Sequence, residues 1–438
     1  MEVQSTQDLL HWFDQSTGVT TDSRECGPGK MYFALKGERF DGNQFAPDAL
    51  QKGCIAAVVD DPSLQGEGIL HVSDGLKALQ SLARAHRRRF KGPVFGLTGS
   101  NGKTTTKELI KAVVGTHLVV HATHGNLNNH IGVPLTLLAM PLDTEFALVE
   151  MGANHQGEIA ELCAIAEPTL GMITNVGLAH LEGFGGVEGV KKGKQELYKY
   201  LAAHEGAAFV PASDPDLLSL SDLDGLDRLL FGSPAYPPHA WRQGAEVNAP
   251  LFWTNSADTV PGPWHKEMGP LNVQLPGEHQ LANMQAAIAV GMHLEVAPDD
   301  INVALAAFLP VDQRGETVNT DRNRIIVDCY NANPSSVIST LRAFAAAAHP
   351  SPLVILGDMK ELGEHAKEGH QMVRDVARDC GLECWVVGSD FQRYAPADRT
   401  YLDMKTLGAA LDREVIENRT ILLKGSRSMQ MEALVQVL

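Results

Sequence analysis

Short apolar runs and amphipathic stretches alternate along most of the chain. Met31–Leu35, Ile55–Val59 and Gly68–Val72 are apolar runs of strand length. Asp74–Arg89 follows with Leu76, Leu79, Leu82 and Ala83 at helical spacing. Val94–Leu97, Phe146–Val149 and Leu170–Asn175 predict further strands. Lys107–Val114, the segment from Lys191 to Leu201, and the alanine-rich Leu281–Leu294 predict helices. The last third is the most regular. Strand patterns at Arg324–Cys329, Leu353–Leu356, Cys384–Val387 and Thr420–Leu423 alternate with helical patterns at Ser335–Ala348, Lys367–Asp379, Met404–Leu411 and Ser428–Val437. Such alternation predicts α/β units with parallel sheets. Residues 211–270, rich in Pro, Gly, Ser and Asp, read as irregular strands and loops.

A chain of 438 residues exceeds one ordinary core, so several domains are expected. The pattern divides into three α/β domains, 1–85, 86–310 and 311–438. With 44% hydrophobic and 20% charged residues the chain is that of a folded globular protein. Its net charge of −17 argues against a nucleic-acid partner, which needs a basic face. The one basic run, His86-Arg87-Arg88-Arg89, reads as the solvated end of a helix. The six cysteines form no CxxC pair, and no His cluster has zinc spacing, so they read as reduced thiols. No segment approaches the ~20 apolar residues that cross a bilayer. The expectation is a soluble cytoplasmic protein with no membrane insertion.

Chemistry concentrates after the strand Val94–Leu97. The turn Gly99-Ser100-Asn101-Gly102-Lys103-Thr104-Thr105 leads directly into a helix. A glycine-rich turn of this kind aims backbone N–H groups and a helix N-terminus at phosphate oxygens. Lys103 would add charge toward the outer phosphates, and Thr104 a hydroxyl for a magnesium ion. Leu97 stands where the common G-x-x-x-x-G-K-[ST] pattern has its first glycine.

Other polar clusters follow apolar strands, where parallel sheets collect their chemistry. Glu150 ends one strand and is the natural carboxylate for magnesium, a hard cation. His180 lies among glycines beyond another. His124–Pro134, HGNLNNHIGVP, offers Asn126, Asn128 and Asn129. Asp328, Tyr330, Asn331 and Asn333 follow the first strand of the last unit, and Gly357–Glu364 follows the second. In the first unit, Asp22-Ser23-Arg24 and the stretch from Lys36 and Gly37 to Asn43 read either as ordinary turns or as a loop for a polar, anionic ligand.

Together these segments resemble the Mur ligase family of ATP-dependent amide-forming enzymes. TGSNGKTT is similar to that family's phosphate loop, and EMGA, NVGLAHLEGFG, GEHQLANMQAA, DQRGE and DCYNANP stand in family order. The resemblance covers essentially the whole chain. It implies an N-terminal domain that holds the UDP part of a nucleotide substrate, with Asp22, Ser23, Arg24, Lys36 and Gly37 as contacts. It implies a central P-loop-type domain that binds ATP, and a mobile Rossmann-like C-terminal domain that closes over it. Residues Gly99 to Thr105 would cradle the phosphates, Asn283 would reach adenine, and Asp328 the ribose beside Tyr330. Arg314 would reach the terminal phosphate. Thr104 and Glu150 would hold one Mg2+, and His180 would help hold a second. Lys194, or Lys192 as the fallback, matches the family's carbamylated lysine, a further metal ligand. Asn126, Asn128, Asn129, Asn331 and Asn333 are the remaining substrate candidates.

FALKGERFDG, GNLNNHIGVP, LGDMKELGE and KGSRSMQME point within the family to a particular pair of substrates. These are a UDP-N-acetylmuramoyl-tripeptide and D-alanyl-D-alanine, joined by a monomeric enzyme through an acyl phosphate. Other family acceptors, those of the diamino-acid-adding ligases or of folylpolyglutamate synthetases, stay open, as does a non-ligating P-loop ATPase.

Overall fold

In the computed structural model the described residues are all except 1, 4, 38, 39, 233–252, 256–278, 310–313 and 398. Of the side chains of His279, Arg314 and residues 253–255 nothing is described.

The first unit opens with α1 (Thr6–Gln15), whose N-cap Ser5 and Asp8 exchange hydrogen bonds in a capping box. A four-stranded parallel sheet follows, in the order β1 (Val19–Thr20), β2 (Met31–Phe33), β3 (Ala56–Val59) and β4 (Ile69–His71). Helix α2 (Gly75–Arg87) starts at Asp74, whose carboxylate accepts from the Lys77 N–H, and buries Leu79, Leu82 and Ala83. Its basic end is not simply solvated. Arg87 is buried, and its guanidinium donates to the carbonyls of Ala166 (2.8 Å), Glu167 (2.8 Å) and Phe90 (3.1 Å). Arg84 and Arg88 pair with the Glu167 carboxylate. The run is thus a clamp onto the central unit, because α2 ends where a central helix leaves its last carbonyls without partners.

The central sheet is built on β5 (Val94–Thr98), buried along its whole length. Helix α3 (Lys103–Val114) follows, then β6 (Val120–Ala122), α4 (Gly132–Leu138), β7 (Phe146–Glu150), α5 (Glu158–Ala166) and β8 (Leu170–Ile173). Helix α6 (Val187–Ala203), β9 (Ala207–Pro211), β10 (Asp227–Phe231), β11 (Trp253–Asn255) and α7 (His279–His293) complete the set used below. The strand order is β11-β10-β9-β8-β5-β7-β6, antiparallel only between β10 and β11. Strands β7 and β8, consecutive in the chain, flank β5 on opposite sides. A crevice therefore opens at the carboxyl end of β5, where a doubly wound sheet binds its ligand.

The last unit is a six-stranded sheet. Its elements are β12 (Arg314–Asn319), β13 (Arg324–Asp328), α8 (Pro334–Ala346), β14 (Pro352–Gly357), α9 (Ala366–Asp379), β15 (Glu383–Val387), β16 (Arg399–Tyr401), α10 (Met404–Leu411) and β17 (Thr420–Lys424). The order is β12-β13-β17-β14-β15-β16, parallel except at the β12 edge. The helix expected over Ser428–Val437 is instead two 3-10 segments, Arg427–Met429 and Met431–Gln436. Gln430 between them is left-handed (φ 50°), and Met431 and Leu434, three apart, face the core at the 3-10 period. Among the described residues no helix is long and apolar enough to cross a membrane.

Candidate active site

The crevice at the end of β5 has a volume of about 1050 Å³. Its walls come from the central and C-terminal units. The glycine-rich turn forms its floor. Gly102 has φ 77°, and a Cβ there would lie 2.7 Å from the Asn283 Oδ1, so glycine serves both the backbone and the close approach. The turn is tied to the end of β8. Ser100 N–H donates to the Asn175 carbonyl, and Asn101 N–H to the Asn175 side chain, each over 3.0 Å.

Lys103 opens α3 and at present folds back, its ammonium donating to the Gly99 carbonyl over 2.7 Å. Thr104 is buried, and its hydroxyl donates to Glu150 Oε2 over 3.0 Å. Asn128 Nδ2 donates to the other Glu150 oxygen over 2.9 Å. Glu150 is only 2% exposed, yet it lines the crevice. Behind it stands Lys107, a fully buried cation 3.8 Å from Glu150 and 3.1 Å from Glu108. Its ammonium also donates to the Thr123 carbonyl over 2.6 Å. Residue-by-residue reading did not single out Lys107. Its phase on α3, three before Ile110 and seven before Val114, was the signal.

Asn283 on α7 accepts from the Thr106 hydroxyl (3.0 Å) and donates to Gln280 (2.8 Å). From the C-terminal unit come Asp328, Tyr330, Asn331 and Asn333. Asn333 Nδ2 donates to Asn101 Oδ1 over 2.7 Å, and the Leu178 N–H donates to Ser335 Oγ over 3.0 Å. His180 Nδ1 lies 2.6 Å from Glu361 Oε2. Both are left-handed, at φ 54° and 65°, which is a strained backbone for such residues. The hydrogen bond to His180 holds the Glu361 carboxyl below its ordinary value. Glu361 and Lys424, which pairs with Asp328, were both quoted within motifs but assigned no role. A lysine closing an apolar strand, as in TILLK, was the available signal for Lys424.

Of the other candidates, Asn129 also lines the crevice. Arg314 stands opposite Asp328 in the β12–β13 register, and its side chain is outside the described residues. Lys194 on α6 is not part of the crevice lining. It is 1% exposed, with its ammonium 5.1 Å from the centre of the Phe184 ring. Burial first, and the charge of Lys103 second, bring its pKa down to about 7. Lys192 is exposed. Asn126 is exposed, and Asn129 Oδ1 accepts from the Gly132 N–H at the start of α4. Asp22, Ser23, Arg24, Lys36 and Gly37 are in the first unit, outside the crevice. Asp22 pairs with Arg24 over 2.6 Å, whose hydrogen bonds hold its carboxyl down at about 2. Lys36 pairs with Asp60 over 2.8 Å.

Three family descriptions match this chain: the Mur ligase family catalytic domain over residues 15–87, the Mur ligase middle domain over 97–291, and the Mur ligase glutamate ligase domain over 313–436. The UDP-N-acetylmuramoyl-tripeptide–D-alanyl-D-alanine ligase of Bacillus subtilis (strain 168) is 33% identical over 452 residues, covering 99% of this chain and 94% of the relative. That of Escherichia coli (strain K12) is 34% identical over 438 residues, covering 96% and 93%. Among solved structures, a crystal structure of MurF from Acinetobacter baumannii superposes with a TM-score of 0.81 at 27% identity, covering 99% and 98%. MurF from Thermotoga maritima in complex with ADP superposes with a TM-score of 0.79 at 27% identity, covering 97% of each chain.

Proposed function

The chain belongs to the Mur ligase family, and from that premise we propose that it joins D-alanyl-D-alanine to a UDP-N-acetylmuramoyl-tripeptide at the expense of ATP. The observation that carries this reading is the convergence of the Lys103 turn, the Thr104–Glu150 pair and Asp328 on one crevice between two units. The whole-length likeness to ligases of that name supports the choice of substrates. The enzyme is read as a cytoplasmic monomer, which light scattering on the purified protein tests.

The donor set fits magnesium. The Thr104 hydroxyl and the Glu150 carboxylate group together, hard oxygen ligands facing a space large enough for a triphosphate. When bound, the ion would offset the repulsion between a triphosphate and the carboxylate that attacks it. Lys194 and His180 are the residues for a second ion. Between the two lysines, the buried Lys194 suits carbamylation better than the exposed Lys192, since only a neutral amine adds CO2.

The terminal carboxylate of the tripeptide takes the γ-phosphoryl group of ATP, ADP leaves, and the carboxylate becomes an acyl phosphate. Lys103 swings from the Gly99 carbonyl toward the phosphates and stabilises the charge that develops there. The free amine of D-alanyl-D-alanine then attacks the acyl carbon, the amide forms, and phosphate leaves. An acyl phosphate hydrolyses in open water, so the crevice must be shut during the reaction. The contacts Asn101–Asn333, Leu178–Ser335 and His180–Glu361 join the two units that shut it.

The test is phosphate release with ATP and Mg2+, adding the tripeptide nucleotide and D-alanyl-D-alanine singly and together. Release only with both, with the matching gain in product mass, is expected. Release with the tripeptide nucleotide and a different amine would reassign the acceptor, and release with neither would leave an ATPase.

A further inference from the structure

Strands β13 and β17 are parallel neighbours, and their last residues, Asp328 and Lys424, are in register. The Lys424 ammonium lies 2.6 Å from Asp328 Oδ2 and 3.4 Å from the Asn331 carbonyl. Its side chain is 3% exposed, against 19% for Asp328. The Thr340 hydroxyl of α8 also lies 3.2 Å from that same Asp328 oxygen, but its single proton has a nearer acceptor in the Ser336 carbonyl at 2.9 Å. That oxygen is therefore held by Lys424, while Oδ1 has no hydrogen-bond partner among the described residues, in a side chain that lines the crevice.

We propose that Lys424 is a positioning residue that ties down one Asp328 oxygen so that the other accepts from the ribose hydroxyls of the bound nucleotide. This rests on the nucleotide-binding reading of the crevice. An aspartate carboxylate turns over a broad, nearly two-fold torsion. Untethered, it must be ordered when the nucleotide arrives, and affinity falls by that cost. Lys424 removes the freedom in advance. A direct role on the phosphates is disfavoured by geometry. The ammonium is buried and already paired with a carboxylate, whereas Lys103 sits in the phosphate-binding turn.

The experiment compares ATP with 2′,3′-dideoxy-ATP as phosphoryl donor. Wild type should prefer ATP by roughly tenfold or more, the scale of hydrogen bonds to a charged group. Lys424→Met should lose most of that preference through a higher KM for ATP, with kcat within about twofold. An intact preference in this variant, or a fall in kcat at unchanged KM, would overturn the proposal. Asp328→Asn should also lose the preference. If it does not, the ribose reading of Asp328 fails, and the positioning role with it. Should Lys424→Met not fold, Asp328→Asn/Lys424→Met is compared with Asp328→Asn alone. Lys424 acts only through Asp328, so both nucleotides should give the same constants in the two variants. A further loss in the double variant would refute the role.

Discussion

Asn333 reaches from the C-terminal unit into the glycine-rich turn, where its Nδ2 donates to Asn101 Oδ1 over 2.7 Å. The same side chain caps α8, its Oδ1 accepting from the Ser336 N–H over 3.0 Å. One residue thus starts a helix and joins two units across the crevice.

The two jobs of Asn333 separate on mutation. Asn333→Asp keeps an acceptor for the cap but sets a carboxylate against Asn101 Oδ1. It should raise KM for ATP roughly tenfold, the scale of one lost polar contact, and leave Tm unchanged. Asn333→Ala should raise KM and also lower stability by about 1 kcal/mol, as a lost N-cap does. Steady-state kinetics and thermal melts on both variants check this. A lower Tm in Asn333→Asp, with KM unchanged, would reduce Asn333 to a cap.

Much of this was legible in the chain. β5, β7 and β8 are short, wholly buried strands whose apolar runs give way to polar clusters, the pattern of a strand covered on both faces. Glu150 could be placed because it closes such a run. What sequence hides is contact across elements. Arg87 reads as one more charge on a basic helix end, and only the placing of α2 against the last carbonyls of α5 turns it into a clamp. Gln430 failed for a local reason. Nothing in its side chain announces the left-handed turn that breaks the last segment into 3-10 pieces.

In the proposed mechanism Lys103 leaves the Gly99 carbonyl to meet the transferring phosphoryl group. Lys103→Ala should lower kcat by at least ~10²-fold, as loss of a preorganised charge does, with its fold intact. Near-normal turnover would remove it from the mechanism.

Lys107 neutralises a buried acidic corner rather than meeting a ligand. Lys107→Met leaves Glu150 beside an apolar side chain and should cost about 3–5 kcal/mol, the penalty for breaking a buried pair. Lys107→Met/Glu150→Gln should recover part of that loss in a denaturant melt, although it cannot recover activity if Glu150 holds magnesium. With Glu150→Gln completing the cycle, losses that simply add would show that the two residues are not coupled.

Lys194 offers a test through pH. Its folded pKa of about 7 lies below the ordinary lysine value of 10.5, because burial and the charge of Lys103 oppose protonation. Between those two values the unfolded chain binds a proton that the folded chain does not, so stability rises with pH across that window. Below about pH 7 both states are protonated and the burial penalty is felt in full. Lys194→Met has no such proton. In CO2-depleted buffer the variant should therefore be the more stable of the two near pH 6. The difference should shift toward wild type by up to about 1.4 kcal/mol per pH unit as pH rises to 9. Parallel curves would mean that Lys194 keeps an ordinary pKa in the folded protein, and the neutral amine required for carbamylation at pH 7 would be missing. If the curves converge as expected, adding bicarbonate should raise wild-type turnover, and a short carboxylic acid should partly restore that of Lys194→Ala. Rescue of Lys192→Ala instead would move the carbamate two residues along α6, onto an exposed side chain.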